Sequence, residues 1–218
     1  EKMDFDYAKD SKEQRPYEYY LKTYQEIDPK EISERTGFFY DEEKKVFTVV
    51  FMGSTYEISF PDYKISHKED EKGVYPLEEA MNAKIFMVRY LSEKAKAPSS
   101  GKFLTYREVP WGEVYFRQFQ GRCLMRLAFS YGNKLEAFKK VMTAMGAKPL
   151  EQGDCAFELE FMEGFFIRLI LWEGDDEFPP SSQILFSDNF AVTFAAEDLA
   201  VAGDICINMM KAVERKLS

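Results

Sequence analysis

The stretch FFIRLILWEGDDEFPPSSQILF, residues Phe165–Phe186, decides the fold. Its first part, Phe165–Leu171, is an almost unbroken apolar run, which is typical of a central strand buried on both faces. A second apolar run follows at Ile184–Phe186. Between them, Trp172–Pro180 (the acidic loop) carries four carboxylates in five positions beside a tryptophan and a diproline. The stretch therefore predicts two buried strands joined by a stiff, charged connection.

In the rest of the chain, the spacing of apolar residues indicates which segments are strands and which are helices. β-Branched and aromatic segments bounded by turn residues predict strands at 38–40, 46–52, 55–60, 154–161, 165–172, 183–186 and 190–194. Apolar residues at helical spacing predict helices at 16–27, 29–36, 77–94, 113–130, 133–145 and 196–216. Capping signals support the second helix, with Asp28 as N-cap, Pro29 in the first helical position and Gly37 as the stop. We therefore predict an α+β protein with antiparallel sheet and flanking helices.

A linker-like segment, APSSG at Ala97–Gly101, separates two halves of the chain. We predict an N-terminal helix–meander–helix half at residues 1–96 and a C-terminal half at residues 102–218; packing of both as one domain is the alternative. FTVVFMG at Phe47–Gly53 is similar to FELEFMEG at Phe157–Gly164, which favours a duplicated helix–meander–helix unit. Chance similarity between Phe-rich strands is the competing explanation.

The composition indicates a folded, acidic protein. Of 218 residues, 45% are hydrophobic and 16% aromatic, which is enough for a sizeable core, and the formal net charge is −9. An acidic surface repels phosphate groups, so we expect neither nucleic acid nor an anionic membrane as a partner. No apolar run is long enough to span a membrane. The opening segment, EKMDFDYAKD, lacks the order of a signal peptide.

Three cysteines, Cys123, Cys155 and Cys206, are far apart in the sequence and form no Cys-x-x-Cys pair. This spacing supports neither a zinc knuckle nor an iron–sulfur site. Each cysteine lies in an apolar segment, where a free thiol behaves as a small buried hydrophobe. We therefore predict a cytoplasmic protein with no metal and no cofactor.

The acidic loop is the first candidate site, and its candidate residues are Trp172, Glu173, Asp175, Asp176, Glu177 and Phe178. Clustered carboxylates suit Ca²⁺ or Mg²⁺, but the calcium-loop spacing is absent. They equally suit the basic patch of a protein partner or a cationic ligand, with two ring faces beside them. A solvated hairpin connection that protects a sheet end from aggregation is a third explanation. The diproline favours binding, because a stiff backbone lowers the entropy cost of presenting its neighbours.

The arginine segment, Tyr106–Arg126, is the second candidate site. Arg107, Arg117, Arg122 and Arg126 alternate there with aromatic residues. Guanidinium groups suit the recognition of phosphate or carboxylate. We expect either an anion site, to which Arg107, Arg117 and Arg122 contribute, or internal ion pairs between the arginine segment and the acidic loop.

Catalytic motifs are absent from the sequence. His67, the only histidine, lies in the polar stretch SHKEDEK, which is typical of a solvated loop. Any Ser-His-Asp or Cys-His site would have to use it, and no phosphate-binding glycine loop or HExxH sequence occurs. An enzyme would therefore have to rely on carboxylates such as Asp175 or Glu177.

Four segments form a recognisable set: WEGDDEFPPSSQILF at Trp172–Phe186, GEVYFRQF at Gly112–Phe119, YGN at 131–133 and AAEDLAVAGD at Ala195–Asp204. Together they resemble domain of unknown function 3786, an uncharacterised bacterial family, most clearly from Leu104 onward. The resemblance implies no particular chemistry, because no activity is established for the family. It implies a setting mainly in anaerobic bacteria, where some members are joined to a cysteine-rich iron–sulfur module that this sequence lacks. A redox role would therefore need a separate partner.

Three functions follow as hypotheses. The first is a non-catalytic accessory or binding domain that recognises a small anionic ligand or a protein partner through both candidate sites, in anaerobic redox metabolism. The second is an enzyme in which Asp175, Asp176 or Glu177 is the acid/base or binds a divalent cation, while Arg117 and Arg122 hold an anionic substrate. The third is a structural or oligomerisation unit. The sequence leaves the ligand, the reaction and the oligomeric state open.

Overall fold

The computed structural model describes residues 15–218, which fall into two compact units. Unit 1 contains residues 15–50, Ser54–Glu69 and Tyr75–Lys96. Unit 2 contains Phe51–Gly53, Asp70–Val74 and Ala97–Ser218. The opening segment EKMDFDYAKD, in which we expect no signal peptide, lies outside the described residues.

Unit 1 is built from helices and an antiparallel meander. Its helices are α1 (Arg15–Glu26), α2 (Pro29–Thr36), α3 (Pro76–Glu79) and α4 (Met81–Glu93). Its strands are β1 (Phe39–Asp41), β2 (Val46–Phe51), β3 (Ser54–Ser59) and β4 (Ile65–His67). β1 pairs with β2, and the remaining strands follow in the order β2–β3–β4. Every second residue of β2 and β3 is buried, so one face of the meander packs on the core.

The ends of α2 confirm the capping prediction. The side chain of Asp28 accepts a hydrogen bond from the Lys30 amide at 2.9 Å, and Pro29 occupies the first helical turn. Gly37 ends the helix at φ 77°, a left-handed conformation that is easily adopted only by glycine.

Unit 2 also consists of antiparallel strands and flanking helices. Its strands are β5 (Phe103–Thr105), β6 (Lys148–Leu150), β7 (Cys155–Met162), β8 (Phe165–Trp172) and β9 (Ser181–Ser187). Its helices are α5 (Gly112–Phe119), α6 (Arg126–Tyr131), α7 (Leu135–Ala144), α8 (Asn189–Thr193) and α9 (Ala196–Leu217). β8 lies between β7 and β9, β6 pairs with β7, and β5 pairs with β9. The apolar run Phe165–Leu171 is thus part of a central strand, as predicted.

The α+β prediction is confirmed. Apart from strand β5 at the start of unit 2, each unit runs from helices through an antiparallel meander to a final pair of helices. This common order is what a duplicated helix–meander–helix unit would produce, and the duplication itself stays a prediction. No helix within residues 15–218 is both long enough and apolar enough to cross a membrane.

The predicted strand at 190–194 is wrong, because residues 190–193 belong to helix α8 and Phe194 follows directly after it. Phe190 and Phe194 are four residues apart and therefore lie on one face of a helix, where their ring centroids are 5.2 and 5.4 Å from that of Phe165. A strand would have placed Val192 on the same face as both rings. Val192 is instead 76% exposed. The aromatic contacts therefore decide the conformation.

Three other predictions also need correction. The helix predicted at 77–94 is two helices, α3 and α4, because the backbone of Ala80 is extended. His67 belongs to strand β4 and not to a solvated loop. The helix predicted at 133–145 begins only at Leu135, and Asn133 instead contacts the acidic loop.

Candidate functional site

The acidic loop is a hairpin connection that is tied to the rest of unit 2. It joins β8 to β9, whose last pair is Trp172 and Ser181. The amide of Glu173 donates to Asp154 Oδ2 at 2.7 Å, and the amide of Gly174 donates to Asn133 Oδ1 at 3.2 Å. These two hydrogen bonds hold the start of the loop against residues that are distant in sequence.

The loop is also braced from within. Oδ1 of Asp175 accepts hydrogen bonds from the amides of Glu177 (2.8 Å) and Phe178 (2.7 Å), and its own amide donates to the Phe178 carbonyl at 2.8 Å. A Cβ atom on Gly174 would lie 2.7 Å from the nitrogen of Pro180, so only glycine permits the loop to close there. The two backbone hydrogen bonds lower the pKa of Asp175 below its usual 3.8.

These hydrogen bonds make the order of the loop dependent on pH. A carboxyl group whose pKa is lowered by folding stabilises the folded loop above its unfolded pKa, and this contribution is lost as the pH falls through the lower, folded value. We expect the Phe178 amide to stay protected from hydrogen exchange down to about pH 3.8, the ordinary pKa of an aspartate, and to lose protection below it.

The variant Asp175→Ala should remove that protection at every pH, because no acceptor remains for the Phe178 amide. Asp176→Ala is the matched control: it removes the same charge one residue away, and no hydrogen bond to the Asp176 side chain is seen within the described residues. Exchange rates measured by NMR and corrected for intrinsic rates separate the two variants. Equal protection in both would contradict the assigned role of Asp175.

The arginine segment is largely helical and contains an irregular turn. Between α5 and α6, residues Gln120–Met125 form a π-helical turn, which inserts one extra residue into a helix. From this region Arg122 forms an ion pair with Asp204, and Arg126 donates to Asn208 Oδ1 at 2.6 Å. Both acceptors lie on α9, one helical turn apart, so these arginines fasten the π-helical turn to α9.

The remaining arginines of the segment do not reach the acidic loop. Arg107 lies 3.8 Å from a carboxylate oxygen of Glu113, and its guanidinium carbon is 3.7 Å from the ring centroid of Phe116. Arg117 is exposed, and none of the ion pairs described for residues 15–218 includes it. The alternative of internal ion pairs between the arginine segment and the acidic loop is therefore wrong.

What meets the acidic loop is the C-terminal end of the same helical stretch. A Cβ atom on Gly132, just after α6, would lie 2.3 Å from Cβ of Pro180. Just beyond the loop, the hydroxyl of Ser182 in β9 donates to the carbonyl of Leu124 in the π-helical turn at 2.5 Å. With the contact from Asn133, the structure joins the loop to the end of this helix through backbone and small side chains, and not through guanidinium groups.

Exposed apolar side chains are concentrated on this helix and this loop. Of ten large apolar side chains that are well exposed among the described residues, six lie there, and they are Trp111, Val114, Met125, Phe129, Trp172 and Phe178. The exposed fractions of Phe129 and Phe178 are 62% and 67%. Sequence reasoning identified Trp172 and Phe178 but missed Met125 and Phe129, because the extra residue of the π-helical turn changes which face of the helix they occupy.

The carboxylates of the acidic loop form no ion pair in the part of the chain that the structure describes. Glu173, Asp175, Asp176 and Glu177 are all exposed, and none is in an ion pair with a described lysine or arginine. The loop is therefore a rigid source of uncompensated negative charge beside exposed rings.

The other side chains with potential chemistry are metal ligands and the three buried, free cysteines. Among residues 15–218, no group of three or more His, Cys, Asp or Glu side chains is arranged to hold a metal ion. Burial raises the pKa of Cys123 to about 12 and also raises those of Cys155 and Cys206, so all three thiols are neutral at ordinary pH. Cys123 packs tightly against α9, where a Cβ atom on Gly203 would lie 2.8 Å from its sulfur.

The fold and this surface define an α+β protein whose antiparallel strands carry a rigid acidic hairpin loop. The chain belongs to the family described as Domain of unknown function (DUF3786), whose family model matches residues 28–209. The match includes both the acidic loop and the arginine segment, and the family named from the sequence is confirmed. Comparison with curated proteins and with solved structures finds no significant match.

Proposed function

We propose that this protein is a non-catalytic binding module whose partner is another protein. The binding surface comprises the acidic loop together with the exposed side chains Met125 and Phe129. The observation that carries the proposal is the position of well-exposed aromatic rings beside four uncompensated carboxylates on a loop that is already ordered. Exposed apolar groups of this kind mark interaction surfaces.

The chemistry of the surface specifies the partner. Phe178 and Trp172 offer rings that a partner can bury, and aromatic anchors supply much of the binding energy in protein interfaces. The carboxylates favour a segment rich in lysine and arginine, and they also increase the association rate through electrostatic attraction. An anionic ligand fits this surface poorly, because Arg122 is already paired with Asp204.

The internal bonds of the acidic loop support a binding role more than a solubilising one. Because Asp175, Asn133 and Asp154 fix the loop before any partner arrives, little conformational entropy is lost on association. The buried free cysteines favour a reducing compartment, and we propose the bacterial cytoplasm. The setting in anaerobic redox metabolism rests only on the resemblance described above.

Selection of random displayed peptides on the immobilised protein tests this function. We expect enrichment of peptides that combine lysine or arginine with leucine or phenylalanine. In fluorescence anisotropy, Phe178→Ser and Asp176→Lys should each weaken the selected peptides by about tenfold, the loss expected for an anchor or a close charge pair. Added salt should weaken binding to the wild type more than binding to Asp176→Lys.

Glu163→Lys is the matched control for charge. Glu163 is also exposed, but it lies in the turn between β7 and β8, at the opposite end of β8 from the acidic loop. Its reversal changes the net charge as much as Asp176→Lys does and should leave peptide affinity within about twofold. Selected peptides without a basic bias, or equal losses in the two charge reversals, would rule out the proposed surface.

A further inference from the structure

Unit 1 contains a cavity of about 450 Å³. Its lining residues are Tyr17, Tyr63, Lys64, Ile65, Glu78 and Lys84. Small-molecule sites have volumes of roughly 300–1,000 Å³, and this cavity is within that range. Two cationic groups, one carboxylate and the rings of two tyrosines therefore face a space that a small molecule can fill.

Glu78 is held in a fixed orientation at the wall of this cavity. Its Oε1 lies 2.6 Å from Nδ1 of His67 and accepts a hydrogen bond from the His67 amide at 2.7 Å. The imidazole is itself stacked on the ring of Tyr75, with ring centroids 3.5 Å apart and planes 7° apart. The side chain of Glu78 is 26% exposed, so the carboxylate is positioned but still accessible.

A second part of the lining is fixed by Tyr63. Its backbone has φ 56°, a left-handed conformation that is uncommon for a residue with a bulky side chain. Backbone conformations of this kind are concentrated at functional sites. The Tyr63 ring is buried, and its hydroxyl donates to the carbonyl of Lys84 at 2.7 Å. This bond holds the helical turn from which the Lys84 side chain reaches the cavity.

We propose that the cavity binds a small organic anion that also carries a hydroxyl group. The ammonium groups of Lys64 and Lys84 bind its carboxylate or phosphate, and the carboxylate of Glu78 accepts a hydrogen bond from its hydroxyl group. His67 is a positioning residue, since it orients Glu78 and is not among the lining residues. Lys64 Nζ also lies 3.9 Å from a carboxylate oxygen of Asp62, whereas no ion pair of Lys84 is seen within residues 15–218. Lys84 is therefore the main cation for the bound anion, and Lys64 adds to it at the exposed edge of the cavity.

Titration of the ¹⁵N-labelled protein with four related compounds tests the proposal. Glycerate and glycerol 3-phosphate share the skeleton of glycerol and differ in the anionic group, and propionate lacks the hydroxyl groups. We expect saturable shifts of the Tyr63, Ile65 and Lys84 amide signals with glycerate, with glycerol 3-phosphate or with both, and none with glycerol. Saturation by only one of the two anions identifies carboxylate or phosphate as the preferred group. Saturation by neither anion, or by glycerol equally well, would overturn the proposal.

Variants assign the roles of the charged groups. Lys84→Met should weaken binding of the saturating anion by about tenfold, whereas Lys44→Met, an exposed lysine in the turn between β1 and β2, should not. Lys64→Met, whose side chain is 84% exposed, is a second test that leaves the core unchanged, and it should also weaken binding. Unchanged affinity in both cavity variants contradicts the site.

Glu78 is tested by selectivity. The wild type should bind glycerate more tightly than propionate by about tenfold, the value of one additional hydrogen bond to a charged group. Glu78→Ala should abolish this preference while carboxylate binding remains. A preference that persists in Glu78→Ala would remove Glu78 from the proposed site.

Discussion

An Asn189→Ala variant is expected to lose about 3–5 kcal/mol of its free energy of unfolding, because several buried polar groups lose their partners at once. The Asn189 side chain is almost completely buried. Its amide group donates to the carbonyls of Ala97 (3.0 Å) and Gly164 (2.8 Å), and its oxygen accepts from the Ser187 hydroxyl (2.6 Å). One amide thus connects the segment before β5, the β7–β8 turn and the end of β9.

The large loss of stability comes from the three buried groups that lose their hydrogen bonds to Asn189. Each buried carbonyl or hydroxyl that loses its hydrogen bond costs about 1–3 kcal/mol, and alanine replaces none of the three contacts. The network continues beyond Asn189, since the Ser187 hydroxyl accepts from the Phe166 amide at 2.9 Å. Urea unfolding followed by circular dichroism measures the loss.

Asn208→Ala is the control for this substitution. Asn208 is exposed and makes one side-chain hydrogen bond, to Arg126, so its removal should cost less than about 1 kcal/mol. Asn189→Asp preserves the shape but removes both amide donors, and it should be destabilised nearly as much as Asn189→Ala. A loss below about 1 kcal/mol in both Asn189 variants would show that the network contributes little.

How much of the fold the sequence predicts depends on the length of each element. β8 and α9 were located from sequence because their apolar patterns extend over many residues. β4, β5 and β6 have three residues each, which is too short for an alternation to be recognised. β1 is equally short and was located because Gly37 and the charged turn DEEKK mark its two ends. α8 was misassigned because Phe190 and Phe194 fit either period, and only their contacts with Phe165 select the helix.

In the candidate site, too, features formed by adjacent residues could be predicted from the sequence, whereas contacts between residues that are far apart in the sequence could not. The acidic loop is defined by adjacent residues, so its charges, its rings and its turn could be located from sequence. Its anchors could not, because Asn133 and Asp154 are 41 and 19 residues from the amides they bind. Arg122 likewise pairs with Asp204, which is 82 residues away, and no local pattern distinguishes that partner from the loop carboxylates.

A Gly132→Ala variant is expected to displace the acidic loop and to lose about 2–3 kcal/mol of stability. The new Cβ atom would lie 2.3 Å from Cβ of Pro180 and 2.5 Å from the Ala128 carbonyl oxygen. Backbone conformation is not the obstacle, since Gly132 has φ −62° and ψ −25°, which alanine adopts readily. The cost is therefore steric, and the diproline end of the loop is the part that must move.

Gly121→Ala provides the matched control, because both glycines lie on the same helical stretch. A Cβ atom on Gly121 meets nothing within 4 Å, and the residue is exposed. Alanine there should stabilise the protein by about 0.5–1 kcal/mol, the ordinary advantage of alanine over glycine in a helix. Opposite signs for the two variants in urea unfolding would locate the penalty at the contact with Pro180.

The same pair of variants connects stability with binding. If the partner surface requires the loop in its anchored position, Gly132→Ala should weaken the selected basic peptides as much as Phe178→Ser does, although it removes no exposed group. Gly121→Ala should leave their affinity unchanged. If Gly132→Ala is destabilised but binds these peptides with normal affinity, the carboxylates and rings do not need the anchored position of the loop. The order of the loop would then not explain recognition.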